Sequence, residues 1–523
     1  MLSYPATGVP SHRLWSGIAD ASPGTHAPLF VDESWRELFG EAVTELQTHG
    51  GDRVCEPSGM DDLRSVLTDV VDRVVAYRES TTDRSVFPTG LPAASRALLG
   101  SLPDEPTATS EVIARLSAAA VPLLVATAGP RFVGFVVGGA LPAATAADML
   151  TSGWDQVGFN TVSSPAAAVV EDVAGQWLRK LFGIPSTATF GFVTGGQAAN
   201  TTALAAARHH VLAEHGWNVE REGLFGAPRL RIVVNGERHA TIDRSLRLLG
   251  IGEAAIEPVA TDAQGAIDVA DLRRVLATDP AGPTIVCLQA GNVNSGAFDD
   301  LRAAIAVART HGAWVHVDGA FGLWAAASPT RRHLVDGLEG ADSWATDGHK
   351  WLNVPYDCGY VFCNHPDAHS AAMAYTAAYL TGQGDVGLRS PGEFVPESSR
   401  RARGFATWAA LCELGRRGIG ELIDRNCDLA VRFASLLAAV DGIEVVNDVV
   451  LNQVLVRFGN DDATTDRVVD AVQRSGECWM GATTWHGVRL MRLSVSNWST
   501  TEADITRSAR AIFAAAAKEV AHE

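Results

Sequence analysis

The sequence predicts an α/β protein built on a mostly parallel sheet, with a helical segment ahead of it and a small α+β domain behind. Three observations predict this. From about residue 165, short β-rich runs alternate with helix-length stretches, the mark of a parallel sheet covered on both faces. Beyond a long helical stretch near residue 400 the rhythm changes to α+β order. Ahead of residue 165 the pattern is helical and punctuated by proline. The expected division is an N-terminal extension and helical segment over 1–110, a large domain over 111–389 and a small domain over 390–523. A chain of 523 residues has room for two to four such units.

Residues 1 to about 60 are rich in Pro, Gly and Ser, with one amphipathic candidate at Glu33–Gln47. Leu63, Val66, Leu67, Val70, Val71, Val74 and Val75 recur at helical spacing and predict a helix over Met60–Arg78. Pro88, Pro92, Pro103 and Pro106 punctuate the next segment, and a second helix is expected at Ser110–Val121. Strand–helix pairs follow: Thr187–Val193 with Gln197–His215, Arg229–Val234 with Ile242–Leu249, and Thr284–Gln289 with Asp299–His311. Further strands are expected at Trp314–Val317 and Gly359–Cys363. The C-terminal part predicts helices at Arg401–Gly415 and Glu421–Val440, and strands at Gly442–Val446 and Gln453–Arg457. A helix at Thr465–Ser475, a strand near Val488–Val495 and a closing helix from Thr501 complete it.

Composition narrows the function. With 47% hydrophobic and 20% charged residues the chain can bury a sizeable core. A formal charge of −18 argues against a nucleic-acid binder, because phosphate backbones attract basic surfaces. The seven cysteines are Cys55, Cys287, Cys358, Cys363, Cys412, Cys427 and Cys478; they contain no Cys-x-x-Cys and read as buried free thiols of a reducing cytosol. The fifteen histidines are scattered, and no metal site is expected. Pro5, Pro10, His12, Arg13 and Asp20 interrupt any export signal. The apolar stretch from Leu116 to Ala144 is broken by Pro122, Pro130, Arg131 and Pro142, so no membrane span is expected. The expected location is the cytoplasm.

Ligands of such sheets bind at the carboxyl ends of the strands, so the loops there carry the functional signal. In Thr194-Gly195-Gly196-Gln197 a strand turns into an alanine-rich helix. Glycines allow close backbone approach, and the helix's first free N–H groups favour an anion. Alone this is an ordinary strand-to-helix turn; neither Walker nor dinucleotide glycine spacing is present. In His316-Val-Asp318-Gly319-Ala320 a strand ends on a carboxylate that can pair with a cationic ring nitrogen or serve as a helix cap. His239 follows another strand and either stacks on a flat heterocycle or sits satisfied in the core. His349-Lys350-Trp351 places an amine among apolar neighbours, where a lysine gains nucleophilic character. Each reading has a bland alternative. Their order, each just after a predicted strand, favours a pyridoxal-phosphate (PLP) site with Lys350 as its lysine.

On these residues the chain resembles the group II PLP-dependent amino-acid decarboxylases, from about residue 62 to the C-terminus. The most specific pieces are His316-Val-Asp318-Gly-Ala320 and Ala341-Asp342-Ser343 through Asp347-x-His349-Lys350-Trp351-Leu352. Ser399-Arg400-Arg401 ahead of Trp408, and Arg492-Leu-Ser-Val-Ser-Asn497 followed by Thr500-Thr501-Glu502-Ala-Asp504, also match. The resemblance implies a fold-type I architecture with a seven-stranded large-domain sheet, and a homodimer with its active site at the subunit interface. It implies Lys350 as the Schiff-base lysine, Asp318 as partner of the ring nitrogen, and His239 and Ala320 on the two ring faces. It puts Thr194, Gly195, Gly196 and Gln197, with Asp347 and His349, at or beside the phosphate. Asn292, in the loop where the family commonly has a Thr-Thr pair, joins the cofactor set. Tyr379 matches the loop tyrosine that protonates the carbanion after CO₂ loss, with Tyr375 as the fallback. Phe135 lies in the substrate segment, and Val157 and Phe159 match positions that line the pocket from the second subunit. The implied reaction is α-decarboxylation of an L-amino acid to its amine. Alternatives on the same cofactor are oxidative decarboxylation–deamination, carbon–carbon lyase chemistry and transamination; a non-catalytic PLP-binding scaffold is a third class.

Overall fold

The computed structural model describes residues 62–375 and 389–520, except Thr89 and Pro280. The Glu33–Gln47 candidate, Cys55 and Tyr379 lie outside the described residues.

The larger sheet is built from seven short strands: β1 Thr189–Val193, β2 Arg231–Asn235, β3 Ile256–Val259, β4 Thr284–Gln289, β5 Trp314–Asp318, β6 Ser343–Asp347 and β7 Gly359–Cys363. Their spatial order is β1-β7-β6-β5-β4-β2-β3. All pairings are parallel except those of β7, which runs antiparallel to both β1 and β6. Every residue of β2, β4, β5, β6 and β7 is buried. That is the burial a parallel sheet acquires when helices cover both faces. Helices α6 Gly196–Ala213, α7 Ala240–Leu248, α8 Val269–Leu276 and α9 Leu301–Arg309 make the crossovers. The last three begin on side-chain caps: His239, Asp268 and Asp300 accept from the first free N–H groups. The strand and helix positions read from sequence agree within a few residues. β3, which is half-exposed, was not expected, and β6 was expected only as an unplaced strand ahead of His349-Lys350.

Ahead of this sheet lie α1 Leu63–Ser80, α2 Pro92–Leu99, α3 Thr109–Ala120, α4 Pro142–Trp154 and α5 Pro165–Phe182. α1 is amphipathic as expected, yet none of its residues is buried, and Leu63, Leu67, Val71 and Val75 stand exposed. Beyond α10 Pro366–Met373, the helices expected at 401–415 and 421–440 are one helix, α11 Gly404–Ala438, bent at Gly415. Gly415 adopts φ 61°, a left-handed geometry open to glycine that breaks the run without ending it. A second sheet, in order β10-β11-β9-β8, is wholly antiparallel. Its strands are β8 Ile443–Val445, β9 Gln453–Phe458, β10 Gly481–Trp485 and β11 Val488–Ser494, with α12 Asp462–Ser475 and α13 Glu502–Val520 packed on it. Among the described residues no helix is long and apolar enough to cross a membrane. The described cysteines are free thiols, five of them buried and Cys412 exposed.

Candidate active site

Four strand ends of the larger sheet open onto one cavity of about 230 Å³. β2 leads to His239, β4 ends on Gln289, β5 on Asp318 and β6 on Asp347 ahead of Lys350. His239, Gln289, Asp318, Ala320 and Lys350 line the cavity. Thus Lys350, His239, Asp318 and Ala320, read from three separate loops, meet in one place.

The carboxylates and the cation set its electrostatics. Lys350 Nζ lies 2.9 Å from Asp347 Oδ2, and His349 Nε2 lies 3.4 Å from Asp347 Oδ1. Asp347 also accepts from the Gly196 N–H, tying β6 to the first turn of α6. The two glycines of that turn are required by proximity. A Cβ on Gly195 would sit 2.9 Å from His349 Cε1, and one on Gly196 2.8 Å from Asp347 Oδ2. His349 Nδ1 accepts from the Cys358 N–H at 3.1 Å, and its ring stacks on Tyr356 at 4.1 Å. Burial holds the His349 imidazole below its ordinary value, against the pull of Asp347. Asp318 is 5% exposed; its Oδ2 accepts from Asn200 Nδ2 at 2.9 Å and its Oδ1 from the Ala320 N–H at 3.2 Å. Burial lowers the His239 pKa, with Asp318 opposing and Lys350 and Arg492 reinforcing the shift.

Other expected residues sit elsewhere. Gln197 spends its side-chain amide on Ser245 Oγ at 2.9 Å and on the Thr241 carbonyl at 3.3 Å, bracing α7. Asn292 accepts from the Asn294 and Ser295 N–H groups within its own loop and is not among the cavity-lining residues. Phe135 lines the cavity with φ 59°, and Val136 beside it has φ 111°, two strained residues at its rim. Val157 bridges to Arg401, and the Phe159 carbonyl accepts from the Gly392 N–H at 2.8 Å; neither residue lines the cavity. Tyr375 hydrogen-bonds Ser398 Oγ at 2.6 Å.

Seven lining residues were not among the expected site residues, and three of them, Gln289, Arg492 and Tyr356, carry polar side chains. Gln289 is 5% exposed and its Nε2 has no hydrogen-bond partner among the described residues. Arg492 reaches in from β11, donating to the Val293 carbonyl at 2.9 Å; no carboxylate pairs with it among the described residues. Tyr356 adds a phenol that burial pushes up to about 12, so it stays protonated. Arg492 falls in a motif quoted from the sequence, but nothing local there shows that the second sheet delivers it to the first.

The family model described as "Pyridoxal-dependent decarboxylase conserved domain" matches residues 92–458, more than half of the chain. A 4-hydroxyphenylacetaldehyde synthase of Rhodiola rosea is 28% identical over 459 residues, covering 84% of this chain and 90% of that one. Tryptophan decarboxylase 1 of Oryza sativa is 28% identical over 474 residues, covering 84% and 91%. The crystal structure of Oryza sativa TDC with PLP and tryptamine superposes with a TM-score of 0.82 at 25% identity, covering 88% of this chain and 99% of that one. The chain therefore belongs to the pyridoxal-dependent decarboxylase family, with the fold-type I architecture. It is a PLP-dependent carboxy-lyase acting on an amino acid.

The residues present fit that cofactor. The cavity holds a lysine, a buried carboxylate positioned by an amide, and Gln289 with a donor still to be satisfied. Beside it, two glycine backbones sit where any side chain would collide.

Proposed function

We propose that the chain converts an aromatic L-amino acid to its amine and CO₂ in this cavity. The observation that carries it is the convergence of Lys350, Asp318 and His239 on one cavity walled by Phe135, Val136, Val293 and Phe321. When bound, pyridoxal phosphate supplies the electron sink that weakens the bond to the carboxylate. Lys350 would hold the cofactor covalently through its Nζ. Asp318, buried and hydrogen-bonded, keeps the ring nitrogen protonated. His239 and Ala320 would hold the ring between them, the Thr194–Gln197 turn with Asp347 and His349 would hold or adjoin the phosphate, and Asn292 would support this set from its loop. Arg492 offers its unpaired guanidinium to the substrate carboxylate, and Phe135 selects the side chain. Tyr379 donates the proton that replaces CO₂.

A second reading has its own support: the similar Rhodiola rosea protein and an Arabidopsis thaliana relative, 26% identical, are named aldehyde synthases. Product identification by mass over a panel of L-amino acids separates the two. Amine from aromatic substrates supports the first reading and aldehyde with ammonia the second; no product from any aromatic amino acid removes the substrate assignment. In Tyr379→Phe the amine yield should collapse, and an unchanged yield takes Tyr379 out of the mechanism.

The active unit in this reading is a homodimer in the cytoplasm, with Val157 and Phe159 completing the partner's pocket. The exposed apolar stripe of α1 supports it, because a contiguous surface of that kind marks an interaction site. The boundaries near 110 and 390 belong to the same proposal. Light scattering on the purified protein tests the dimer, and a monomer mass at micromolar concentration contradicts it.

A further inference from the structure

One buried amide holds two groups of the cavity at once. Asn200, on α6, is 1% exposed. Its Nδ2 donates to Asp318 Oδ2 at 2.9 Å and to Thr241 Oγ1 at 3.1 Å, while its Oδ1 faces His316 Nε2 at 3.0 Å.

The protons follow from which atoms lack one. The Asp318 carboxylate only accepts, so Asn200 turns its NH₂ group to Asp318 and its carbonyl oxygen, which only accepts, to His316 Nε2. His316 therefore carries its proton on Nε2 and donates it to Asn200 Oδ1. Its Nδ1, left without a proton, accepts from Ser343 Oγ at 3.0 Å, and Ser343 Oγ in turn accepts from Trp314 Nε1 at 3.0 Å. Thr241 Oγ1, already accepting from Asn200, has its proton free for His239 Nδ1 at 2.9 Å. The Thr241 backbone N–H reaches the same nitrogen at 3.3 Å. Two donors converge on Nδ1, which leaves the proton of neutral His239 on Nε2.

We propose that Asn200 is a positioning residue that fixes the Asp318 carboxylate and, through Thr241, holds His239 as its Nε2–H tautomer. His239 then presents a donor, not a lone pair, from its outer nitrogen. It acts in the site as a hydrogen-bond donor and not as a general base. The functional consequence rests on the cofactor roles proposed above for Asp318 and His239. The relay itself belongs to the cofactor-free protein.

The test is long-range ¹H–¹⁵N spectroscopy of ¹⁵N-histidine-labelled cofactor-free protein, with the His239 signals assigned by their loss in His239→Asn. The expected result is a pyridine-like Nδ1 and a pyrrole-like Nε2. In Thr241→Val the two shifts should move toward each other, and Thr241→Ser should restore them. Asn200→Ala should give the same spectral change and also speed release of bound pyridoxal phosphate by roughly tenfold or more, the worth of a charge-assisted hydrogen bond. Thr241→Val should leave that release within about twofold, since Asp318 keeps its donor. If Asn200→Ala does not fold, the Thr241 pair decides the relay. A wild-type His239 protonated on Nδ1, or Thr241→Val spectra identical to wild type, overturns the proposal. Failure of the protein to take up pyridoxal phosphate would remove the cofactor reading and leave the imidazole result standing by itself.

Discussion

Glu171 on α5 is the test case for how the fold supports the site. It is 2% exposed and takes a bidentate pair from Arg400 Nη2, at 2.7 and 2.9 Å, with Arg400 itself 1% exposed. Arg389 Nη2 lies 3.7 Å from the same carboxylate, and burial lowers that guanidinium to about 10, still protonated at neutral pH. Glu171→Gln keeps the shape and removes the charge, leaving two buried cations without a counter-ion. Breaking a buried pair in this way costs about 3–5 kcal/mol. The neighbouring Arg401–Asp148 pair, with side chains 36% and 32% exposed, is the control: Arg401→Ala should cost about 1 kcal/mol or less. Urea unfolding followed by tryptophan fluorescence measures both, with unfolding rates replacing midpoints where refolding is incomplete. The effect should also reach activity. Arg400 holds the Gly158 carbonyl and accepts from the Gly158 N–H at 2.7 Å, fixing the Val157–Phe159 segment. KM should rise severalfold in Glu171→Gln while the cofactor stays bound. A loss of about 1 kcal/mol or less for Glu171→Gln would refute the reasoning, because it would mean that the guanidiniums are solvated in the native protein.

Further predictions concern the cavity and pH. Burial lowers His316 to about 4 and His369 to about 3, while each takes up a proton near 6.5 when unfolded. A depressed base stabilises the fold above its unfolded value and loses that contribution as pH falls, on the order of 3 kcal/mol or more per histidine. Asp299, raised to about 6 by burial, works in the opposite sense between about pH 4 and 6, so the net slope of stability between pH 4.5 and 6.5 should be positive. Urea titrations across that range check it, and a flat or falling slope contradicts it. Gly196→Ala, whose Cβ meets Asp347 Oδ2 at 2.8 Å, should keep the fold by circular dichroism and lower pyridoxal-phosphate affinity roughly tenfold or more. Gln289→Leu removes a buried donor that lacks a partner among the described residues, so the cofactor-free protein should be as stable as wild type or more so. Its affinity for cofactor or substrate should fall, and a drop in apo stability with unchanged binding would show that Gln289 is structural.

The parts of the fold that declared themselves in the sequence are those whose residues report their own environment. Ile232-Val-Val234 and Ile285-Val-Cys-Leu288 are apolar because helices cover both faces of their strands, and they were legible for that reason. α4 and α5 were not: Pro142 read only as a break in an apolar stretch, and no helix was expected from Pro165. In the structure each occupies the first turn, where its missing N–H costs no hydrogen bond. The site divides in the same way. Lys350, Asp318 and His239 stand at strand ends with distinctive neighbours. Gln289 and Arg492 become site residues only through packing, and the Asn200 relay draws on α6, β5, β6 and α7 together. Their spacing in the chain carries no trace of that.

The whole chain contains three lysines, Lys180, Lys350 and Lys518. Lys180 and Lys518 are exposed on helices, and Lys350 alone lines the cavity. Borohydride reduction of the cofactor-loaded protein, followed by digestion and mass spectrometry, therefore reads out the central claim directly. The expected result is a phosphopyridoxyl label on the Lys350 peptide and none on the other two. A label on Lys180 or Lys518 with Lys350 unmodified would contradict it.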